Sequence, residues 1–427
     1  MLFFLFDDKK ILFFLINKYK SLFFLEFFIK SSKIPIFFDV IICFLFQLYL
    51  YKVFMSFKSN TGTIIDRAIN ELRTGRPLII QNNKEYWMFF NIEHSQSKIF
   101  NQFNKHLIDE KYLLITKQKA QSIFNKNIKS NIYFEINPKT DVNQIINLFV
   151  NPLSNNKVIK FTNIKKFKAK NFHNVCIDLS KNAKMIPSLV FKKINKKYYK
   201  NINEFGFKNG ILIFDYKDLL KQNELICESI KLVSSAKVPL PKNENSNFKI
   251  FKSYIGSDKH VAIIVNPKKM NKKSVNLRIH SACFTGDIFH SLKCDCGEQL
   301  NQSINYMVRN NGGIILYLEQ EGRGIGLANK MRAYSLQARG MDTIDADHNI
   351  GFLDDERDFN IAARILKLLK INKVNLITNN KNKINSIKKA GIKVENQINT
   401  KPTLNKFNKN YFKTRVKKAG YGLKLVV

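Results

Sequence analysis

Between Arg278 and Leu300 the chain reads RIHSACFTGDIFHSLKCDCGEQL, a C-x10-C-x-C array of Cys283, Cys294 and Cys296 that takes three of the six cysteines. If the three share one ion, the fold must bring all their sulfurs together, and no other segment constrains the chain as much. Structural zinc usually takes four protein ligands, whereas hydrolytic zinc keeps one position for water. Three thiolates with no fourth fixed partner suit the second kind. The alternative is three buried cysteines in a reduced core, since this spacing is not among the commonest zinc patterns. Cys43, Cys176 and Cys227 stand apart and show no disulfide spacing, which fits a reducing cytoplasm.

At 427 residues the chain exceeds one typical domain, so two domains with appendages are expected. Residues 1–54 are rich in Phe, Leu, Ile and Lys, and Asp7, Lys9, Lys18 and Glu26 interrupt the apolar runs. The longest candidate span, Ile34 to Phe54, carries Asp39 and Gln47 and makes a marginal membrane anchor. No small-residue cleavage site follows a clean apolar core, so a secretory signal is not expected. The preferred reading is that translation begins at Met55 and that the preceding stretch is an over-extended frame, with an anchor or interfacial helix as the alternative.

From Thr61 the pattern becomes globular. Ile64, Ile65, Ala68, Ile69 and Leu72 recur at helical spacing up to Gly75, and a strand-like run from Pro77 to Ile80 follows. HNVCIDLSKNAKMIPSLVFKKI, His173 to Ile194, predicts a helix, a turn at Pro187 and another apolar run. Downstream, strands are predicted over Val275 to His280, Gly312 to Glu319 and Val374 to Thr378. Helices are predicted over Leu327 to Arg339, Asp358 to Lys370 and Asn382 to Ala390, with Gly340 and Gly391 as stops. Alternating elements imply an α/β domain with ligands at strand ends and helix starts.

EQEGRGIGLANKMRAYSLQARGMDTIDADHNIGFLDDERDFNIAARILKLL, from Glu319, and VNLITNNKNKINSIKKAGIKV, from Val374, follow the cysteine segment in order. Together these blocks resemble GTP cyclohydrolase II, which opens the guanine ring of GTP in the first committed step of riboflavin synthesis; the resemblance covers roughly Ala236 to Asn396. It implies one zinc ion per subunit on Cys283, Cys294 and Cys296, and magnesium. Zinc would lower the pKa of its water towards about 7 for attack on C8 of the purine, with C8 leaving as formate. Pyrophosphate release would fall to LDDERDF, with Asp355 matching the family's proton acceptor and Arg357 its nucleophile or phosphate-activating arginine. Because a guanidinium stays protonated, electrostatic clamping is the better physical role. Without the flanking matches, Asp-Asp-Glu-Arg before an apolar helix would read as an acidic N-terminal cap.

The same resemblance places GTP contacts at Arg278, Ile279, His280, Ser281, Ala282 and Gln299, at Glu321, Gly322 and Arg323, and at Thr343, Thr378 and Lys383. Tyr334 would reach the reacting centre. Relatives often carry glutamate where this chain has Ala282, and Asp287 is a candidate substitute. The formal charge of +38 is spread along the chain among Asn, Ile and Phe, without a basic motif bearing stacking aromatics. No specific nucleic-acid partner is expected, although a positive field would help capture a triphosphate.

The segments around Thr61 and His173 look like the opening and closing of dihydroxybutanone phosphate synthase, often fused upstream of GTP cyclohydrolase II. Its acidic cluster, expected near Gln81, is replaced by QNNKEYWMFFNIE, and where the family has His-Thr-Glu this chain has His173, Asn174 and Val175. That removes the hard oxygen ligands magnesium needs. The reading is therefore four segments: an extension, 1–54; a degenerate synthase-like α/β domain, 55–230; a GTP cyclohydrolase II α/β domain, 231–398; and a basic tail, 399–427. GTP is the expected substrate, a homodimer the implied assembly and the cytoplasm the expected place. The alternatives are a bifunctional enzyme that also makes the four-carbon phosphate from ribulose 5-phosphate, and a non-catalytic nucleotide- or RNA-binding relative.

Overall fold

In a computed structural model the described residues are the strands at 2–7, 10–16 and 22–28, together with 60–94, 111–124, 128–136, 165–271, 273–400 and 403–409. The expected start at Met55, the apolar run 34–54 and most of the basic tail lie outside them. Residues 1–59 form one compact unit and 60–427 another. In the first, β1 (Leu2–Asp7), β2 (Lys10–Ile16) and β3 (Leu22–Phe28) make a three-stranded antiparallel sheet. Among the described residues no helix is long and apolar enough to cross a membrane.

The second unit opens with α1 (Thr61–Arg73), where the Asn60 side chain accepts from Gly62 N and Ile65, Ala68, Ile69 and Leu72 form the buried stripe. The chain leaves it through Gly75 at φ +74°, as the sequence predicts. Then come β4 (Leu78–Asn82), β5 (Glu85–Asn91), β6 (Lys111–Ile115), α2 (Lys117–Phe124), β7 (Ile132–Ile136) and β8 (Lys166–Lys168). Next are α3 (Asn171–Asn182), β9 (Ser188–Lys193), α4 (Ile202–Asn209), β10 (Leu212–Asp215) and α5 (Gln222–Glu228). Their strands form a seven-stranded sheet ordered β10-β4-β5-β9-β6-β7-β8, antiparallel except for the β10–β4 pair. Both faces are buried, which the period of two makes possible. Leu78, Ile80 and Phe89 join the core under α1 and α3, while Ile79, Met88 and Phe90 join the core on the other side.

A second seven-stranded sheet follows: β11 (Lys231–Lys237), β12 (Ser246–Lys252), β13 (Lys259–Val265), β14 (Val275–Ser281), β15 (Gly313–Leu318), β16 (Lys373–Ile377) and β17 (Lys393–Ile398). Interleaved with these are α6 (Cys296–Arg309), α7 (Leu327–Gln337), α8 (Thr343–Asn349), α9 (Asn360–Leu368) and α10 (Lys381–Lys389). The order is β11-β12-β13-β15-β14-β16-β17. The first four strands pair antiparallel, and β15, β14, β16 and β17 run parallel. The fold is thus mixed α/β with two sheets, as the sequence implied. The antiparallel hairpins β11 to β13, and the helices α6 and α8, are additions that the sequence reading did not contain.

Candidate active site

Parallel strands deliver their C-terminal ends to a single edge, where α/β sheets gather ligands. Here β14 ends at Ser281, β15 at Leu318 and β16 at Ile377, and His280 pairs in register with Tyr317 and Ser281 with Leu318. The segments that follow these ends, 282–299, 319–326 and 378–383, carry most of the predicted site residues.

The C-x10-C-x-C array closes on itself. After β14 the chain makes a tight π-turn over Phe284–Ile288, and α6 begins at Cys296, so the three sulfurs lie within 4.8 Å of one another. Cys283 and Cys294 Sγ are 3.7 Å apart. Gly286 makes room for them: a Cβ there would stand 2.7 Å from Cys294 Sγ and 3.0 Å from Cys283 Sγ. Hydrogen bonds from the Cys294 and Cys296 thiols, with the Lys330 ammonium, hold the Cys283 thiol far below the usual range. Its negative charge and hydrogen bond in turn push Cys294 up to about 11, and Cys296 is raised as well. Sulfurs this close repel one another when ionised, and a bound cation is what lets three of them ionise side by side. The donor set therefore fits a thiophilic metal.

Lys330, on α7, is a residue that the sequence reading missed. Its Nζ donates to Cys283 Sγ at 3.2 Å, Thr285 Oγ1 at 3.0 Å and Glu321 Oε1 at 2.8 Å. Burial is the largest influence and opposes its charge, but the hydrogen bond to Glu321 together with the negative charges of Tyr334, Cys283 and Glu321 raises its pKa. The Asn329–Lys330 dipeptide inside α7 gave no signal for this. Glu321 also accepts from Phe284 N at 2.6 Å, which ties the glycine-rich turn to the cysteine loop. Within that turn Gly322 and Arg323 both sit at φ +61°. The left-handed conformation is free for glycine but strained for arginine, and it aims the guanidinium at Asp354 O, 3.0 Å, and Asp347, 3.5 Å. Burial lifts Asp347 to about 7 despite Arg323.

Asp287 does not take the place of the glutamate missing at Ala282. Its carboxylate is turned inward, bonded to His280 Nε2 at 3.1 Å, Cys283 N at 2.9 Å and the Tyr317 hydroxyl at 2.9 Å, so it organises the loop. His280 stacks on Tyr317, and burial lowers its pKa, with Asp287 opposing. Its Nδ1 is buried without a hydrogen-bond partner.

Asp355 and Arg357 form a two-pronged pair, with Nε–Oδ1 and Nη2–Oδ2 both 2.7 Å. Burial would raise the Asp355 pKa, but the Arg357 bonds hold it below the usual carboxylate range. Arg357 Nη1 reaches Ser281 Oγ at 3.3 Å and so joins this loop to the strand that leads into the thiols. The acidic run is not a helix cap: α9 starts at Asn360, and Asp358 is the residue whose side chain accepts from its first turn.

Arg278 donates to Ile377 O at 3.1 Å and to the Gln299 side chain, and Lys383 donates to Ile279 O at 2.8 Å. Thr378 Oγ1 accepts from Asn380 N at 3.1 Å, just before α10. Ala282 N bonds Leu318 O at 2.8 Å. The Tyr334 ring lies 4.5 Å from Lys293 Nζ and 5.6 Å from Lys330 Nζ, beside the thiols. Thr343 stands farther out, at the start of α8, and that helix reaches the site through Asp347.

A three-thiol site able to hold one metal, beside an arginine–carboxylate pair at the parallel edge of a mixed sheet, defines the class. A family model described as GTP cyclohydrolase II matches residues 231–399. The chain is 46% identical over 185 residues to GTP cyclohydrolase-2 of Aliivibrio salmonicida, covering 42% of this chain and 92% of that protein. It is 43% identical over 189 residues to GTP cyclohydrolase-2 of Vibrio cholerae, covering 44% and 95%. The riboflavin biosynthesis protein RibBA of Endomicrobium trichonymphae is 45% identical over 177 residues, so the match spans 42% of this chain and 44% of that relative's length. A crystal structure of RibBX, a two domain 3,4-dihydroxy-2-butanone 4-phosphate synthase from A. baumannii, aligns over 79% of this chain and 99% of that one. At 13% identity and a TM-score of 0.30 that alignment carries no argument. The chain belongs to the GTP cyclohydrolase II family.

Proposed function

We propose that the protein hydrolyses GTP to 2,5-diamino-6-(5-phosphoribosylamino)pyrimidin-4-one, formate and pyrophosphate, in a domain spanning 231–398. One observation carries this reading: three thiols within 4.8 Å of one another share a sheet edge with the Asp355–Arg357 pair, and Ser281 links the two. A zinc ion on Cys283, Cys294 and Cys296 would supply a water whose pKa falls towards about 7.

The side chains around it divide the remaining work. Lys330 and Glu321 fix the cysteine loop against the glycine-rich turn, and Tyr334 flanks the same space. Arg357 stays protonated and, held flat by Asp355, presents a fixed cation to the phosphates. Arg323, Thr343, Thr378 and Lys383 are assigned to phosphate or ribose, and Arg278, Ile279, His280, Ser281, Ala282 and Gln299 to the nucleotide near the strand end. Glu321 and Gly322 are assigned to the base. Among the described residues the cysteine trio is the one group of three or more metal-ligating side chains, so magnesium is assigned to the triphosphate.

For 55–230 we infer a degenerate dihydroxybutanone phosphate synthase-like domain without activity. Where magnesium-binding carboxylates are expected, Gln81 to Glu85 turn a hairpin, with Asn83 at φ +57°. His173 is sealed in the core: Nδ1 accepts from Lys170 N at 3.1 Å, the ring lies 4.5 Å from Tyr133, and burial drives its pKa down to about 3. A homodimer in the cytoplasm completes the reading, and the free thiols suit such a compartment.

The test is direct. The full chain, loaded with zinc and supplied with magnesium, is expected to release formate and pyrophosphate from GTP. Absence of both from metal-replete protein would sink the reading. Ribulose 5-phosphate with magnesium is expected to stay unchanged, and a four-carbon phosphate product would overturn the assignment of 55–230.

A further inference from the structure

Residues of the upstream sheet and its helices grip the Asp355–Arg357 loop from outside. Lys181, near the end of α3, pairs with Glu356 at 2.7 Å, and the two side chains are 20% and 12% exposed. Glu356 is the residue between Asp355 and Arg357; its Oε1 also accepts from Leu353 N at 2.8 Å, and its N donates to Arg323 O at 3.0 Å. Thr116 Oγ1 donates to Gly351 O at 2.7 Å, and Lys119 Nζ to Asn349 O at 2.6 Å, so α2 begins by holding the end of α8. Burial lowers the Lys119 pKa to about 7, so this tether works through its hydrogen bond rather than through a full charge. Farther along, Glu93 pairs with Arg332 at 3.1 Å and Lys184 O accepts from Asn329 at 3.0 Å, which fixes α7 on either side of Lys330.

We propose that the upstream domain, having lost its own chemistry, serves as a clamp that positions the Asp355–Arg357 loop, with Lys181 as the positioning residue. The relatives that align over nearly their whole length do so through less than half of this chain. The chemistry of the pair explains the need. Asp354, Asp355, Glu356 and Asp358 crowd one short loop, and Asp178 on α3 lies close enough to Glu356 for the two charges to raise the Asp178 pKa, after burial and against Lys181. Without the ammonium, two half-buried carboxylates would face each other and push the loop outward. Arg357 would then lose its fixed direction.

The proposal rests on the GTP reading for its kinetic arm but not for its structural one. In the full chain, Lys181→Met is expected to lower kcat for pyrophosphate release between about tenfold and about a hundredfold, the scale of a misplacement of about 1 Å. KM for GTP should move less than about threefold, zinc content should be unchanged, and Lys181→Arg should restore most of the rate. Amide hydrogen exchange at 353–357 should quicken by about threefold or more while α6 and β14 keep their protection. Lys208→Met, which breaks an exposed pair with Glu204, is the control and should change neither measurement. If wild-type protein leaves GTP intact, the functional reading fails and the exchange data alone decide the clamp. Unchanged exchange at 353–357 overturns the proposal, as does faster exchange spread evenly over the chain.

Discussion

The two larger sheets of this chain have seven strands each but differ in strand direction and in what gathers at their edges. In the upstream sheet, alternate residues of β4, β5 and β9 feed apolar cores on both faces, and His173 on α3 is walled in by Tyr133, Phe172 and Trp87. In the downstream sheet the cores are equally apolar, yet the parallel edge buries Arg278, His280, Asp295, Lys330, Asp347, Thr378 and Lys383. Buried polar groups are costly unless partnered. The upstream region also buries polar side chains, Asn91, Thr116, Lys119, Ser180 and Lys192 among them, whereas those downstream gather beside the thiols at the parallel edge, bonded to one another and to backbone carbonyls. A fold survives on its core alone, whereas a reacting site needs the expensive groups as well.

Four experiments test this contrast, beginning with the largest effect. On the proposed function, Cys294→Ser should lower formate release by at least about a thousandfold, because the site would lose a ligand to the ion proposed to make hydroxide near neutral pH. Metal analysis should show the zinc gone, and retention of full activity would mean the thiols are merely core. Arg357→Lys should cost about a hundredfold to a thousandfold in pyrophosphate release, since an ammonium cannot copy the two-pronged bond to Asp355. Pre-steady-state formate and pyrophosphate assays would show which step suffers.

Phe89→Ala addresses the other sheet. Phe89 is fully buried and stacks on Phe191 at 5.2 Å between centroids, so its loss should destabilise the protein by about 3–5 kcal/mol in denaturant unfolding while zinc content stays put. Loss of zinc together with stability would show that the two sheets do not fail separately. The smallest effect concerns Asp347, whose folded pKa of about 7 lies above the unfolded carboxyl value near 3.9. Between those values the folded protein holds a proton that the unfolded chain has released. Stability therefore falls as pH rises from about 4 to 7 and stays at the lower level above that. Asp347→Asn should flatten that slope, as seen in Tm measured near pH 5 and near pH 8; an unchanged slope would place the titration elsewhere.

Much of the site was legible in the linear text because local chemistry marks it. The cysteine spacing, the glycine-rich turn after β15 and the acidic loop before α9 each carry a motif short enough to read. Strand and helix limits followed from period and stop signals: Gly340 and Gly391 do sit at positive φ, near +97° and +87°. Lys330 carried no such mark, and Asp287 was read only as a candidate for the role of the glutamate missing at position 282. Each acts through partners far away in sequence, Lys330 on Cys283 and Asp287 on Tyr317, and no local pattern encodes a contact of that range. The acidic cap reading for LDDERDF had the right residues but the wrong register, because Asp355 is claimed by Arg357 before α9 begins.

Sequence alone determined that three thiols would lie near a strand end, that another α/β segment would precede them, and which family the downstream part resembles. These are matters of residue type and spacing, and they persist whatever the neighbours do. Tertiary structure decided that the upstream segment bonds Glu356 through Lys181 and the end of α8 through Thr116 and Lys119, that Lys330 sits against the first sulfur, and that Asp287 faces inward. Such choices arise from which surfaces meet, and a surface is assembled from residues that only folding brings together.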